Sequence, residues 1–245
     1  MAKVILIASG KGGVGKSTTA VGLAYALGRL EKKVLIIDLD TGLGCDDILC
    51  FRSDSSVFNW GDVVTGSVEC SKALIDCSGG VKLLSAPQKI PEGFSYDTLA
   101  SFIRGLAAAF DFVLLDAPAG LGTMVQTAAA SSDYAILVAT PDPVSVKAAC
   151  TLVGDCERLG IGESRLVINR FIYKEVRHGR QMNIDAVIDS ATARLIGIIP
   201  EDDMLRCGIV TGSRLGVKSK ARQAFNRIAA RVCGFSVEIR LSQLK

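Results

Sequence analysis

The sequence predicts a single α/β domain, a mostly parallel central sheet covered by helices on both faces. Three observations predict it. Short apolar runs recur along the chain and are near-continuous, as in strands buried on both sides. Stretches with apolar residues at helical spacing alternate with them. Polar residues stand where several of these strands end, the edge of an open sheet at which ligands bind.

Val4 to Ala8 (VILIA) reads as the first buried strand, and Thr19 to Leu30 as a helix with Ala20, Leu23, Ala24 and Leu27 at helical spacing. Lys33 to Leu39 (KVLIIDL) is a second strand, ending in Asp38 and Asp40. A mixed region follows to about Gly80, with short helices expected at Val57–Val64 and Ala73–Asp76. Val81 to Ala86 is a third strand stopped by Pro87, and Tyr96 to Phe110 a helix with Leu99, Phe102, Ile103 and Leu106 on one side. Phe112 to Asp116 and Tyr134 to Ala139 are strands, Val144 to Leu159 a helix, Arg165 to Asn169 and Leu195 to Ile199 strands, and Lys218 to Val232 the last helix. No repeat, low-complexity tract or linker interrupts the series. Residues 1–234 read as the domain and 235–245 as a C-terminal tail.

At 245 residues, 49% hydrophobic and mean hydropathy +0.36, the chain can build a large core. No apolar run reaches the roughly 18 residues that span a bilayer, and the segment after Lys3 leads into a glycine loop instead of a cleavage site. A cytoplasmic location is expected. The eight cysteines form no C-x-x-C pair and read as small buried hydrophobes, with Cys70 and Cys77 the pair worth watching. His178 lies in a polar loop, Lys174 to Arg180, and reads as surface. The net charge of +3 conceals an asymmetry: residues 204–245 carry +8 and the rest of the chain −5. Such a basic segment suits anionic lipid, nucleic acid or an acidic partner, or else a solvated helix face.

The strongest local signal is Gly10-Lys11-Gly12-Gly13-Val14-Gly15-Lys16-Ser17-Thr18, which fits G-x-x-x-x-G-K-[ST] between a strand and a helix. Glycines let backbone N–H groups turn inward onto phosphate oxygens, and the helix N-terminus adds unpaired donors and partial positive charge. Lys16 is placed to reach the β- and γ-phosphates and Ser17 to offer its hydroxyl to Mg²⁺, so ATP or ADP with Mg²⁺ is the expected ligand in a P-loop NTPase fold. Asp116 closes a strand of hydrophobes, a costly place for an acid unless it is paired or serves a cation. Strand alternation puts Asp38 and Asp40 on one face of the chain.

Lys11, early in the loop, is not required by general phosphate-loop logic. With it, Lys11-Gly12-Gly13-Val14-Gly15-Lys16-Ser17-Thr18 resembles the deviant Walker A signature of MinD/ParA-type ATPases. The resemblance implies that Lys11 reaches nucleotide phosphate across an ATP-dependent homodimer. It also implies that Asp40 orients the attacking water and helps hold the magnesium shell, with Asp38 the preceding acid of the catalytic site, near the loop lysine or Mg²⁺ waters. Asp116-Ala117-Pro118-Ala119-Gly120 resembles the Walker B aspartate and switch II. Asn169, with Arg170 beside it, resembles the adenine-reading asparagine, and Pro200-Glu201-Asp202 the segment on the other side of the base.

Within the family, Asp38-Leu39-Asp40-Thr41-Gly42-Leu43 and Gly197-Ile198-Ile199-Pro200-Glu201-Asp202 look like the MinD branch. That branch implies slow, partner-stimulated ATP hydrolysis in cell-division site placement, MinC-like and MinE-like regulators, and peripheral attachment to an anionic membrane at the inner face of the cell membrane. Two stretches depart from it. Gly44-Cys45-Asp46-Asp47 stands where a basic, amide-bearing stretch is usual. Phe235 to Leu241 alternates with period two, favouring a strand, although Val237, Leu241 and Leu244 also fit a helical face. Two other functions compete: a ParA-like or flagellar-placement ATPase acting on DNA or another scaffold, and a metabolic phosphoryl-transfer enzyme. The latter is disfavoured by the lack of a second substrate domain.

Overall fold

A computed structural model describes residues 2–42, 44–50, 57–77, 79–211, 215–239 and 244. In chain order the elements are β1 (Lys3–Ala8), α1 (Lys16–Gly28), β2 (Val34–Asp38), α2 (Asp46–Leu49), α3 (Trp60–Val64), α4 (Cys70–Ala73), β3 (Ile75–Asp76) and β4 (Val81–Leu84). There follow α5 (Tyr96–Ala107), β5 (Phe112–Asp116), α6 (Thr123–Ala130), β6 (Tyr134–Ala139), α7 (Pro143–Arg158), β7 (Ser164–Phe171), α8 (Tyr173–Arg177), α9 (Ile184–Ala191), β8 (Arg194–Pro200), α10 (Asp203–Thr211) and α11 (Lys220–Val232). The strands form one sheet in the order β3-β4-β2-β5-β1-β6-β7-β8, parallel except at the β3–β4 edge. The predicted architecture is the one observed.

Parity along each strand sorts the core into two layers. Val4, Leu6 and Ala8 of β1, Leu35 and Ile37 of β2, and Val113 and Leu115 of β5 pack on the face covered by α5, α6, α7 and α9. Ile5 and Ile7, Val34 and Ile36, and Phe112 and Leu114 pack on the opposite face, beneath α1 and α11. Close approach fixes the second layer. A Cβ on Gly22 of α1 would lie 2.4 Å from the Phe225 ring of α11, so only glycine lets the two helices meet there. Ser219 caps α11 by accepting from Arg222 N.

Two local expectations are corrected. Ala73–Asp76 is not a helix: α4 ends at Ala73, and Ile75 and Asp76 pair antiparallel with Leu83 and Lys82. Gly79 and Gly80, both at positive φ, reverse the chain there, a turn signal that outweighs local helix spacing. The tail's expected strand does not form over 235–239, which have no regular structure, and positions 240 and 241 lie outside the described residues. Leu244 is buried and belongs to the core. Helices α6, α8, α9 and α10 were not anticipated, α8 lying where a polar loop was expected. They are short, and in α6 a run of alanines carries no apolar stripe to detect.

Candidate functional site

The parity that builds the core also builds the site. Val113 and Leu115 of β5, with Ala117 just past it, face α5–α7, which turns Asp116 to the α1 face. In β2, Leu35 and Ile37 leave Asp38 on that same face, and the sheet register sets Asp38 beside Asp116. The glycine loop delivers the first turn of α1 to the same place. Lys16, 8% exposed, donates to Asp116 Oδ1 at 2.8 Å, and its Nζ lies 3.4 Å from Ser17 Oγ. Burial disfavours the Lys16 ammonium, but Asp116 outweighs it and raises the lysine above its usual range. Burial likewise outweighs Lys16 at Asp116 and holds that carboxyl above its usual range.

The loop is braced from β7. Asn169 Nδ2 donates to Val14 O at 2.7 Å. Gly15 sits at φ +89, and a Cβ there would lie 2.2 Å from that same Nδ2, so glycine is required twice over. The Asp116–Gly120 stretch is anchored on the other side: Leu39 N donates to Asp116 O and Gly120 N to Ser9 O. Lys11 has a different partner from Lys16. Its Nζ is 3.6 Å from Asp142 Oδ1, and the two side chains are 46% and 39% exposed. Asp142 caps α7 and accepts from Thr140 Oγ1 and Ser145 N. Partial burial pushes its carboxyl up, but the Thr140 hydroxyl, the Ser145 N–H and Lys11 hold it below the usual range.

The acids divide differently from expectation. Ligand atoms of Asp38, Asp46 and Asp116 lie within 4.8 Å of one another, and all three residues are at most 2% exposed. Asp40 is outside this cluster; its backbone N donates to Asp38 Oδ1 at 2.9 Å. Burial, together with Asp116, pushes Asp38 up to about 7. Among the described residues the direct carboxylate partner of Lys16 is Asp116, not Asp38. Asp46 comes from the divergent stretch and carried no motif; its pKa is raised by burial and then by Asp116 and Asp38. The other residue that sequence reasoning missed is Trp60, whose Nε1 donates to Asp38 O at 2.8 Å and so ties α3 to the end of β2.

A resident Mg²⁺ fits this chemistry. Both oxygens of Asp46 and Oδ2 of Asp116 are buried without a hydrogen-bond partner among the described residues; with Asp38 they make three carboxylates for one lysine, and the Ser17 hydroxyl lies 3.4 Å from that lysine's Nζ.

The more distant site residues lie along the same edge of the sheet. Arg170 follows Asn169, exposed and at φ 55; Pro200 closes β8 and Glu201 is exposed beyond it. Asp202 is committed to structure. Its Oδ2 accepts from Ser219 Oγ and Ala221 N and its Oδ1 from Met204 N, which ties α10 to α11. In the basic C-terminal segment, Arg222 donates to Leu215 O and Arg231 to Val237 O and Ile196 O, so these charges also hold the fold together. None of the eight cysteines is in a disulfide, and the thiol beside Cys77 is Cys50, not Cys70.

A glycine loop opening a helix, its buried lysine and a strand-end carboxylate together define a phosphate-loop ATPase. A family model described as an AAA domain matches residues 2–160. The chain belongs to this family, in its MinD/ParA group. It is 32% identical over 240 residues to the septum site-determining protein MinD of Synechocystis, covering 96% of this chain and 90% of that one. Its fold is similar to a MinC:MinD cell division protein complex from Aquifex aeolicus, with a TM-score of 0.91, 31% identity and 98% of both chains covered. It is also similar to MinD from Pyrococcus horikoshii complexed with Mg-ADP, with a TM-score of 0.84, 28% identity, and 95% and 96% of the two chains covered.

Proposed function

We propose that this MinD-like ATPase is a switch in cell-division site placement. With ATP and Mg²⁺ it pairs with a second copy and attaches to a surface and to partners; hydrolysis releases it. Lys11 carries the reading. An exposed ion pair at 3.6 Å holds it loosely, worth about 1 kcal/mol or less, so it can leave Asp142 for a phosphate offered by a facing subunit. Lys16 serves its own subunit.

The N–H groups of Gly10 to Thr18 take the phosphates. Ser17, with Asp40 and Asp116, serves Mg²⁺, which when bound neutralises charge on the β- and γ-phosphate oxygens. Asp40, outside the buried acid cluster and half-buried, would orient the attacking water. A carboxylate is a weak base, so positioning dominates and turnover is slow. Asn169, Arg170, Pro200 and Glu201 frame the base, and Asp202 supports their loop through its cap.

A MinC-like inhibitor and a MinE-like activator are the proposed regulators. Among the described residues no helix is long and apolar enough to cross a membrane. The proposed attachment is peripheral, through the basic C-terminal segment to an anionic bilayer. DNA is the second anionic surface that this charge would suit. Light scattering on the purified chain tests the core of the proposal. A dimer in ATP and a monomer in ADP, with Lys11→Ala monomeric in both, are expected. A wild-type chain that stays monomeric with ATP bound would overturn it.

A further inference from the structure

We propose that Cys50 and Cys77 form a reversible disulfide that fastens the end of α2 to the β3 edge of the sheet. The two residues are distant in sequence and meet beside α1. Cys50 closes the C-terminus of α2, its N donating to Asp46 O at 2.7 Å. Cys77 follows β3, and its N donates to Val81 O across the turn into β4. Tyr25 of α1 holds the two backbones together: its hydroxyl is shared between Cys50 O at 3.3 Å and Cys77 O at 3.1 Å.

The thiols are aligned as well as close. Cys77 Sγ directs its S–H toward Ile75 O at 3.7 Å, which leaves its sulfur to accept from the Cys50 thiol. Both residues belong to the apolar layer beneath α1 and α11, at 2% and 0% exposure. A cysteine packed as a small hydrophobe needs no second thiol at its side; two in contact make a dithiol.

Oxidation needs an acceptor for two electrons, and a small-molecule disulfide such as glutathione disulfide supplies it. One cysteine sulfur, giving up its proton, attacks that disulfide and releases the first glutathione thiol. The other cysteine sulfur then displaces the second glutathione from the mixed disulfide. The two cysteines are oxidised, the glutathione disulfide is reduced, and both protons end on the glutathione thiols. With both sulfurs buried, the first attack waits on local opening of α2, a helix of a single turn, so the bond forms slowly.

The first residue of α2 is Asp46, whose N lies 3.5 Å from Asp38 Oδ2. The disulfide therefore holds shut the segment that covers the end of β2. The inference stands apart from the ATPase reading, because the bond needs neither nucleotide nor a second copy.

The test incubates the nucleotide-free full chain with glutathione disulfide until the product is constant. Free thiols are then alkylated in denaturant, and the monomer from a non-reducing gel is mapped by peptide mass spectrometry. A linked Cys50–Cys77 peptide is expected, lost on adding dithiothreitol, absent in Cys50→Ala and retained in Cys70→Ser. The oxidised chain should melt about 4–16 °C above the reduced one, a gain that Cys50→Ala does not show. Recovery of both cysteines as free thiols, a Cys70–Cys77 link, or oxidised and reduced chains that melt alike would overturn the proposal.

Discussion

Replacing Lys16 by Met removes the ammonium 2.8 Å from Asp116 and leaves that carboxylate buried at 1% exposure. The cost has a ceiling, because the carboxyl can always take up a proton instead. Protonating a group of ordinary pKa 3.8 at pH 7 costs about 1.4 kcal/mol per pH unit, or about 4 kcal/mol. That agrees with the roughly 3–5 kcal/mol typical of breaking a buried ion pair. At pH 5 the same ceiling is only about 1.6 kcal/mol. The sign follows from the direction of the shift. Without its lysine the folded-state carboxyl rises further above the unfolded value, so stability is lost as pH climbs through the interval between them. For a chain of this size 1 kcal/mol moves Tm by roughly 2–4 °C. Calorimetry in EDTA, without nucleotide, should then show Lys16→Met melting up to about 8–16 °C below wild type at pH 7 and about 3–6 °C below at pH 5. Adding Asp116→Asn should recover most of the loss. A penalty equal at both pH values, or larger at pH 5, would refute the argument, as would a double variant with the two losses simply added.

Other positions give independent checks. Gly15→Ala meets both a φ of +89 and the Asn169 amide at 2.2 Å, so nucleotide affinity by calorimetric titration should fall at least ten-fold, and unchanged affinity would contradict the bracing role. Gly22→Ala drives a methyl toward the Phe225 ring and should cost about 1–3 kcal/mol in urea unfolding, partly restored by Phe225→Leu; additive losses would deny the contact. Trp60→Phe leaves Asp38 O without its buried donor and should cost about 1–3 kcal/mol. Because Trp60 is the chain's sole tryptophan, its emission should shift when Mg²⁺ and ATP engage the end of β2, and an invariant spectrum would place the switch elsewhere.

Most of the fold was legible because its strands are continuous apolar runs, a pattern dictated by burial on both faces. The phosphate loop was legible for a different reason: its backbone geometry demands glycines, and glycines at fixed spacing are visible in sequence. The pairing of Asp38 with Asp116 was not. Each acid could be placed at a strand end, but which strands are neighbours is set by sheet order, a long-range property. Asp46 was hidden more deeply. It sits in a polar stretch beside Asp47, where an acid ordinarily meets water, and only the folding of that loop over Asp38 encloses it. The reverse holds for Asp202. It sits in a stretch that resembles the base-binding segment, and its carboxylate is taken up in capping α10 and α11.

The most direct test of the switch is cosedimentation of the full chain with anionic liposomes in ATP and in ADP, with duplex DNA as competitor. The account predicts pelleting in ATP that is lost in ADP, lost in Lys11→Ala, and kept in the presence of DNA. Pelleting that ignores the nucleotide, or binding to DNA alone, would contradict it.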